Sequence, residues 1–120
     1  MIPKELQYTK EHEWVRIENN EVVIGITDYA QSELGDVVFV ELPDIGAIFK
    51  ENDILGTIEA VKTVADIFSP VSGEIVAVNL EIENSPELVN SDPYNKGWLI
   101  KMKVTDEFKL LNHEEYSELI

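Results

Sequence analysis

Gly56-Thr-Ile-Glu-Ala-Val-Lys62-Thr-Val-Ala-Asp-Ile-Phe-Ser-Pro-Val-Ser-Gly73-Glu-Ile-Val-Ala-Val78 is the stretch on which the fold turns. Ile54 to Ala60, Val64 to Phe68 and Glu74 to Leu80 are short runs rich in β-branched residues, the composition of a strand. Between the first two runs stands Ala60-Val61-Lys62-Thr63, where a turn is required. A tight hairpin ordinarily takes Asn-Gly or Asp-Gly there. Val61 and Lys62 instead put an apolar side chain and an amine at a loop tip, and a local rule broken without local gain points to function. The stretch also repeats itself. Gly56-Thr-Ile-Glu-Ala-Val61 and Gly73-Glu-Ile-Val-Ala-Val78 share a G-x-I-x-A-V skeleton. Two readings are open: two strands of one sheet with a common taste for β-branched residues, or a pseudo-symmetric pair of hairpins.

Working outward, the apolar residues keep a period of two. Trp98, Ile100, Met102 and Val104 fall on one face, with Lys101 and Lys103 on the other. Val37 to Leu42 predicts a strand with Val38, Val40 and Leu42 together. Trp14 to Ile17 and Val22 to Ile26 predict two more strands about an Asn19-Asn20 turn. Gly35, Pro43, Gly46, Pro70, Pro86, Pro93 and Gly97 supply further turns. Many short strands with frequent turn signals predict an all-β sandwich or barrel. Asp28 with Gln31 resembles a capping box, and Gly35 a stop, so a short helix is predicted over Tyr29 to Leu34. Thr105 with Asp106 and Glu107 predicts a helical turn. Asn112 with Glu115 predicts a second capping box before Tyr116 and Leu119. The expected organisation is one domain over 1–120, with a β body at about 8–104 and a helical appendage at about 105–120.

Charge narrows the partners. The 120 residues carry 24 acidic and 9 basic side chains, a net charge of -15, with 44% hydrophobic residues. The hydrophobic share suffices for a core. The charge opposes binding to nucleic acid, which needs lysine and arginine against phosphate, and to an anionic membrane. Proteins with basic docking surfaces are the expected partners. Cysteine is absent, which removes disulfides, thiolate catalysis and cysteine-based zinc sites. Neither a signal peptide nor a membrane-spanning run is read in the sequence, so a complete cytoplasmic polypeptide is expected, with a processed organelle protein bearing a new Met as the alternative; the expected state is a monomer.

Glu59-Ala60-Val61-Lys62 followed by Ser69-Pro70-Val71-Ser72-Gly73-Glu74-Ile75 resembles the lipoyl and biotinyl attachment domains. Biotinyl domains usually carry Met on both sides of the lysine. Val61 and Thr63 stand there instead, which favours lipoate. Tyr8-Thr-Lys-Glu-His-Glu-Trp14-Val, Gly25-Ile-Thr-Asp-Tyr-Ala-Gln31, Leu34-Gly-Asp-Val-Val-Phe-Val-Glu-Leu-Pro43 and Asp92-Pro-Tyr-Asn-Lys-Gly-Trp98-Leu-Ile-Lys are similar to motifs of the glycine cleavage H proteins. The resemblance runs from about Tyr8 to Ile120. The chain departs from it at Ala60, where many members have Ser, at Thr63-Val64-Ala65, and at Glu11, where some relatives have a small hydroxyl residue.

The resemblance implies a flattened β-barrel or sandwich of the lipoyl-domain type (a barrel-sandwich hybrid), with a short internal helix and a C-terminal helical appendage. It implies a non-catalytic carrier with lipoate amide-linked to Lys62. The arm would take an aminomethyl group from a pyridoxal-phosphate glycine decarboxylase and deliver the methylene to tetrahydrofolate on an aminomethyltransferase. A dihydrolipoyl dehydrogenase would reoxidise the dithiol. A lipoate ligase, or a lipoyl or octanoyl transferase, would attach the cofactor. Glu13 and Asp66 are the candidates to pair with the aminomethyl amine, while Glu59 and Val61 form the context of the attachment loop. Glu59 and Asp66 are also candidates for recognition by the attaching enzyme. A lipoyl relay to 2-oxo acid dehydrogenases, a biotinyl carrier and a stand-alone acidic β enzyme are the alternatives. His12 and His113 are too far apart in sequence to suggest a metal site, and neither a calcium loop, a phosphate cradle nor a nucleophile elbow is present.

Overall fold

The structure is a computed structural model that describes residues 2–120. Nine strands run in chain order: β1 (Gln7–Tyr8), β2 (Glu13–Glu18), β3 (Glu21–Ile26), β4 (Val37–Glu41), β5 (Ile48–Phe49), β6 (Ile54–Ala60), β7 (Val64–Phe68), β8 (Gly73–Val78) and β9 (Ile100–Val104). Four short helices join them: α1 (Asp28–Leu34), α2 (Glu81–Asn84), α3 (Leu88–Ser91) and α4 (His113–Leu119). A six-stranded sheet has the order β1-β2-β3-β9-β8-β5, and a three-stranded sheet the order β4-β6-β7. All pairings are antiparallel.

The inner faces enclose the main core. Val15, Val22, Ile24, Ile75, Ile100 and Met102 come from the larger sheet, and Val37, Val40, Leu55, Ile58 and Ile67 from the smaller. A second cluster joins Leu6, Tyr8, Trp14, Val23 and Tyr116, so α4 is fastened to β1 and β2 through packed aromatic rings. Trp14 is buried and its indole N–H donates to the Pro93 carbonyl at 2.9 Å. Trp98 is only half-buried against the same cluster.

The two G-x-I-x-A-V segments lie in different sheets, β6 in the smaller and β8 in the larger. This overturns the single-sheet reading of the repeat. The first segment enters a hairpin with β7, while β8 is flanked by β5 and β9. Asn19, at φ 61°, and Asn20 form the predicted two-residue turn between β2 and β3.

Several expectations need correction. Val38, Val40 and Leu42 do not share a face. An irregularity in the β4–β6 register between Val37 and Phe39 inserts one residue, so Val37 and Val40 are buried while Val38 and Phe39 both turn outward. A strict alternation cannot reveal such a bulge. The cap of α1 is Thr27, whose hydroxyl oxygen accepts from Ala30 N. Gln31 donates to the Asp28 side chain within the first turn rather than to a cap backbone. Thr105, Asp106 and Glu107 start no helix: Thr105 N donates to Ser72 O, and the chain runs on to a bridge between Leu111 and Tyr8. The helix of the expected 105–120 appendage is confined to His113–Leu119, capped by the Asn112–Glu115 box. β1, β5, α2 and α3 carry no sequence signal of their own; each is only two to four residues long, too short to show a period.

Candidate functional site

Lys62 is exposed at the tip between β6 and β7. The loop is two residues long, Val61 and Lys62, and Ala60 N donates to Thr63 O at 2.7 Å across its base. Neither loop residue has a positive φ, which is why this turn needs neither Asn nor Gly. A second support comes from outside the hairpin. Val61 N donates to Asp36 O at 3.0 Å, and Val37 pairs with Ala60, so the tip is fastened to the junction of α1 and β4. Gly35 closes α1 in a left-handed conformation at φ 84°. Its missing side chain leaves room for the Lys62 stem: a Cβ there would lie 3.3 Å from Lys62 Cε.

Asn90, which the sequence did not single out, braces this junction from beneath. Its Oδ1 accepts from Val37 N at 2.9 Å, and its Nδ2 donates at 2.9 Å to both Gly35 O and Gln31 Oε1. Every hydrogen bond of its side chain is spent on holding residues 31–37. The only sequence signal was a polar residue inside the apolar Leu88-Val-Asn-Ser91 turn.

The predicted carboxylates separate into two environments. Glu59 and Asp66 are exposed on the outer face of the small sheet, across from Val64 and Thr57 respectively. Among the described residues neither forms an ion pair or side-chain hydrogen bond, and Lys62 forms none. Glu13 is buried, at 2% exposure. Its Oε1 accepts from the Thr9 hydroxyl at 2.5 Å, and its Oε2 accepts from Phe68 N at 3.3 Å, which bridges β2 to the free edge of β7. No described basic side chain pairs with it. Burial lifts its pKa from 4.5 to about 7, against the two hydrogen bonds, which act to lower it. Glu13 is therefore brought to the strand that carries Asp66, while Asp66 itself points to solvent.

His12, next to Glu13, is held at φ 71°. Its Nδ1 lies 2.8 Å from the Tyr116 hydroxyl, which also lies 2.8 Å from the Thr27 hydroxyl at the start of α1. One phenol thus ties α4 to the turn that presents Glu13 and to the helix that leads to Lys62. The described residues contain no group of three His, Cys, Asp or Glu suited to a metal ion. No helix is long and apolar enough to cross a membrane. A surface hollow of about 540 Å³ lies at the β2–β3 turn between Ile17 and Phe108 and contains none of these residues.

A carbon–nitrogen bond made at Lys62 would leave an arm free to sweep outward from a fixed point; the buried Glu13 carboxyl lies against Phe68, at the other end of β7 from that tip. Known proteins share this chain's sequence and shape. The family model for the glycine cleavage H-protein matches residues 6–120. Glycine cleavage system H proteins of two Staphylococcus epidermidis strains are 52% identical over 122 residues, covering 99% of this chain and 97% of each relative. The crystal structure of a glycine cleavage system H protein from Mycobacterium marinum superposes with a TM-score of 0.93 at 38% identity, covering 98% of this chain and 97% of that one.

Proposed function

This chain belongs to the glycine cleavage H-protein family, and from that premise we propose that Lys62 is the residue to which its lipoate is amide-linked. The protein is a lipoylated shuttle of the glycine cleavage system. The observation that carries the assignment is the exposed amine on a two-residue tip whose backbone is bonded to both the hairpin base and Asp36. A lysine amine does not acylate itself, so a ligase or transferase must reach it. A stiff, protruding tip meets that demand.

When bound, the lipoyl dithiolane supplies a disulfide that takes up a group reductively and is later reoxidised. The chain's own part is to hold the tether and receive the cargo. Tethering gives each docked enzyme a high effective concentration of the arm. The partners proposed are the pyridoxal-phosphate decarboxylase, the folate-dependent aminomethyltransferase and dihydrolipoyl dehydrogenase, in the cytoplasm.

Glu13 is the group we assign to a cationic cargo. A carboxyl with a pKa of about 7 carries its proton half the time at neutrality. An amine cation brought against it favours the ionised form and expels the proton. Asp66 lies on the same strand as the Phe68 amide that Glu13 holds, and serves as a second, solvated carboxylate on the approach. Glu59 and Asp66 flank the lysine and are assigned to recognition by the attaching enzyme. If E59Q/D66N protein gained lipoate at the wild-type rate, that last assignment would be wrong.

Intact and peptide mass spectrometry of protein from its native host tests the central claim. A lipoyl increment on the peptide containing Lys62 is expected. An increment elsewhere, or glycine turnover sustained by K62R protein, overturns it.

A further inference from the structure

The bulge in β4 has exposed Val38 and Phe39 side by side, and Phe39 is 54% exposed. Register then places its neighbours. Phe39 pairs with Glu59, and Glu59 with Val64, so these three side chains form one row across the outer face of the small sheet. Val64 is 60% exposed, and Val61, one step nearer the tip, is 76% exposed. The next row away from the tip is Glu41, Thr57 and Asp66. The face is thus apolar beside Lys62 and acidic at its middle and far side. Lys62 is the only basic residue in β4, in β6–β7 or in their loop. Contiguous exposed apolar side chains rimmed by charge mark a docking surface.

Which partner sits here depends on where each must reach. The enzymes that act on the cargo meet the far end of the arm. The attaching enzyme must bring an acyl carbon to Lys62 Nζ itself, and so its surface must cover the residues around that atom. Building on the assignment of Lys62, we infer that the Phe39–Glu59–Val64 row, with Val61 above it, is the docking surface for the lipoate-attaching enzyme. The fitting face is one with a lysine or arginine opposite Glu59, apolar contacts for Phe39 and Val64 on either side of it, and further basic residues opposite Glu41 and Asp66. Docking there aligns Nζ for attack on an acyl group bonded to AMP or to a carrier thiol. The amide bond forms, the acyl–oxygen or acyl–sulfur bond breaks, and AMP or the thiol leaves with the bonding pair. Nζ gives up two protons, to solvent or to the leaving group. Phe39 is the anchor, since aromatic side chains dominate such contacts.

The test uses apo protein carrying F39T and V64T together, exposed strand positions at which threonine keeps β propensity. The rate of mass gain on Lys62 is measured with the purified attaching enzyme. Affinity is measured separately, by titrating that enzyme loaded with a non-transferable lipoyl-adenylate analogue. We expect kcat/KM for attachment to fall about tenfold or more through KM, with affinity weakened in parallel. Reduction of the fully lipoylated variant by dihydrolipoyl dehydrogenase should be unchanged. Wild-type attachment should slow as salt is raised, because the acidic rim is screened. Equal attachment rates for variant and wild type overturn this inference and leave Lys62 as the carrier. Equal losses in attachment and in reduction overturn it in favour of a face shared by all partners. A change in sedimentation with attachment unchanged overturns it in favour of self-association. No mass gain on the wild type sinks the assignment of Lys62, and this inference with it.

Discussion

Two segments of this molecule begin alike and end differently. Gly56 to Val61 and Gly73 to Val78 share one skeleton, and their glycines meet the same obstacle. A Cβ at Gly56 would run into the Glu41 carbonyl, and one at Gly73 into the Lys103 carbonyl. Both glycines let a neighbouring strand cross closely. One residue beyond each segment the likeness stops. Lys62 is exposed, whereas Asn79 is buried, with its Nδ2 donating to Lys96 O at 2.8 Å and Trp98 O at 2.7 Å. Val61 stands in solvent, while Val78 packs on the main core. The cause lies in the path of the chain beyond each strand. After β6 it turns back within two residues, and after β8 it proceeds into α2 and α3. The sheet supplies a fixed point in both places, and the presence or absence of cover decides whether that point is structural or chemical.

The sharpest break of this comparison is K62R against N79A. K62R should abolish lipoyl incorporation by mass spectrometry and leave the thermal midpoint near wild type. N79A should do the reverse, keeping incorporation and lowering the midpoint.

The next effect concerns the base of the hairpin that carries the lysine, where Glu13 holds Phe68. Glu13 is more protonated in the folded chain than in the unfolded one, so its contribution to stability is greatest below pH 4.5 and is lost as pH rises towards 7. E13Q removes that loss. Urea melts should show it equal to wild type near pH 4 and more stable by up to about 3 kcal/mol at pH 8. A gain that is flat across pH would mean the carboxyl is ionised in the resting fold.

The shared half of the comparison is tested by G56A and G73A. Each should cost roughly 2–3 kcal/mol in a urea melt, and the two should match, because each forces a carbonyl aside. A large inequality would show that the glycines are not equivalent.

The smallest effects concern the two asparagines. N79A strands two carbonyls and should cost about 2 kcal/mol, with no change in lipoylation rate. N90A should cost a similar amount but slow lipoylation as well, since Gly35, Asp36 and Val37 hold the tip. Equal lipoylation rates for the two variants would remove Asn90 from the site.

Much of this architecture was legible because strands announce themselves locally. Ile54–Ala60 and Val64–Phe68 matched their β-branched runs to the residue, and Asn112 with Glu115 declared its helix. Valine and lysine at a hairpin tip drew attention to Lys62, but it was the likeness of Glu59–Lys62 and Ser69–Ile75 to lipoyl attachment domains that made it the candidate. What escaped depends on contacts between distant residues. The bulge at Val38 and Phe39 is a mismatch of register with β6, and no single strand records it. Asn90 serves residues more than fifty positions away. Glu13 was found as a carboxylate of interest, but its raised pKa arises from burial against β7, which only the assembled sheets create.

The phenol of Tyr116 gives the chain a built-in order of completion. His12 and Thr27 leave the ribosome early, yet the side chain that joins them is synthesised some ninety residues later. Until that last helix emerges and docks, the turn before Glu13 lacks its clasp. A chain cut short of residue 116 would lack the one phenol that joins the His12 turn to the start of α1.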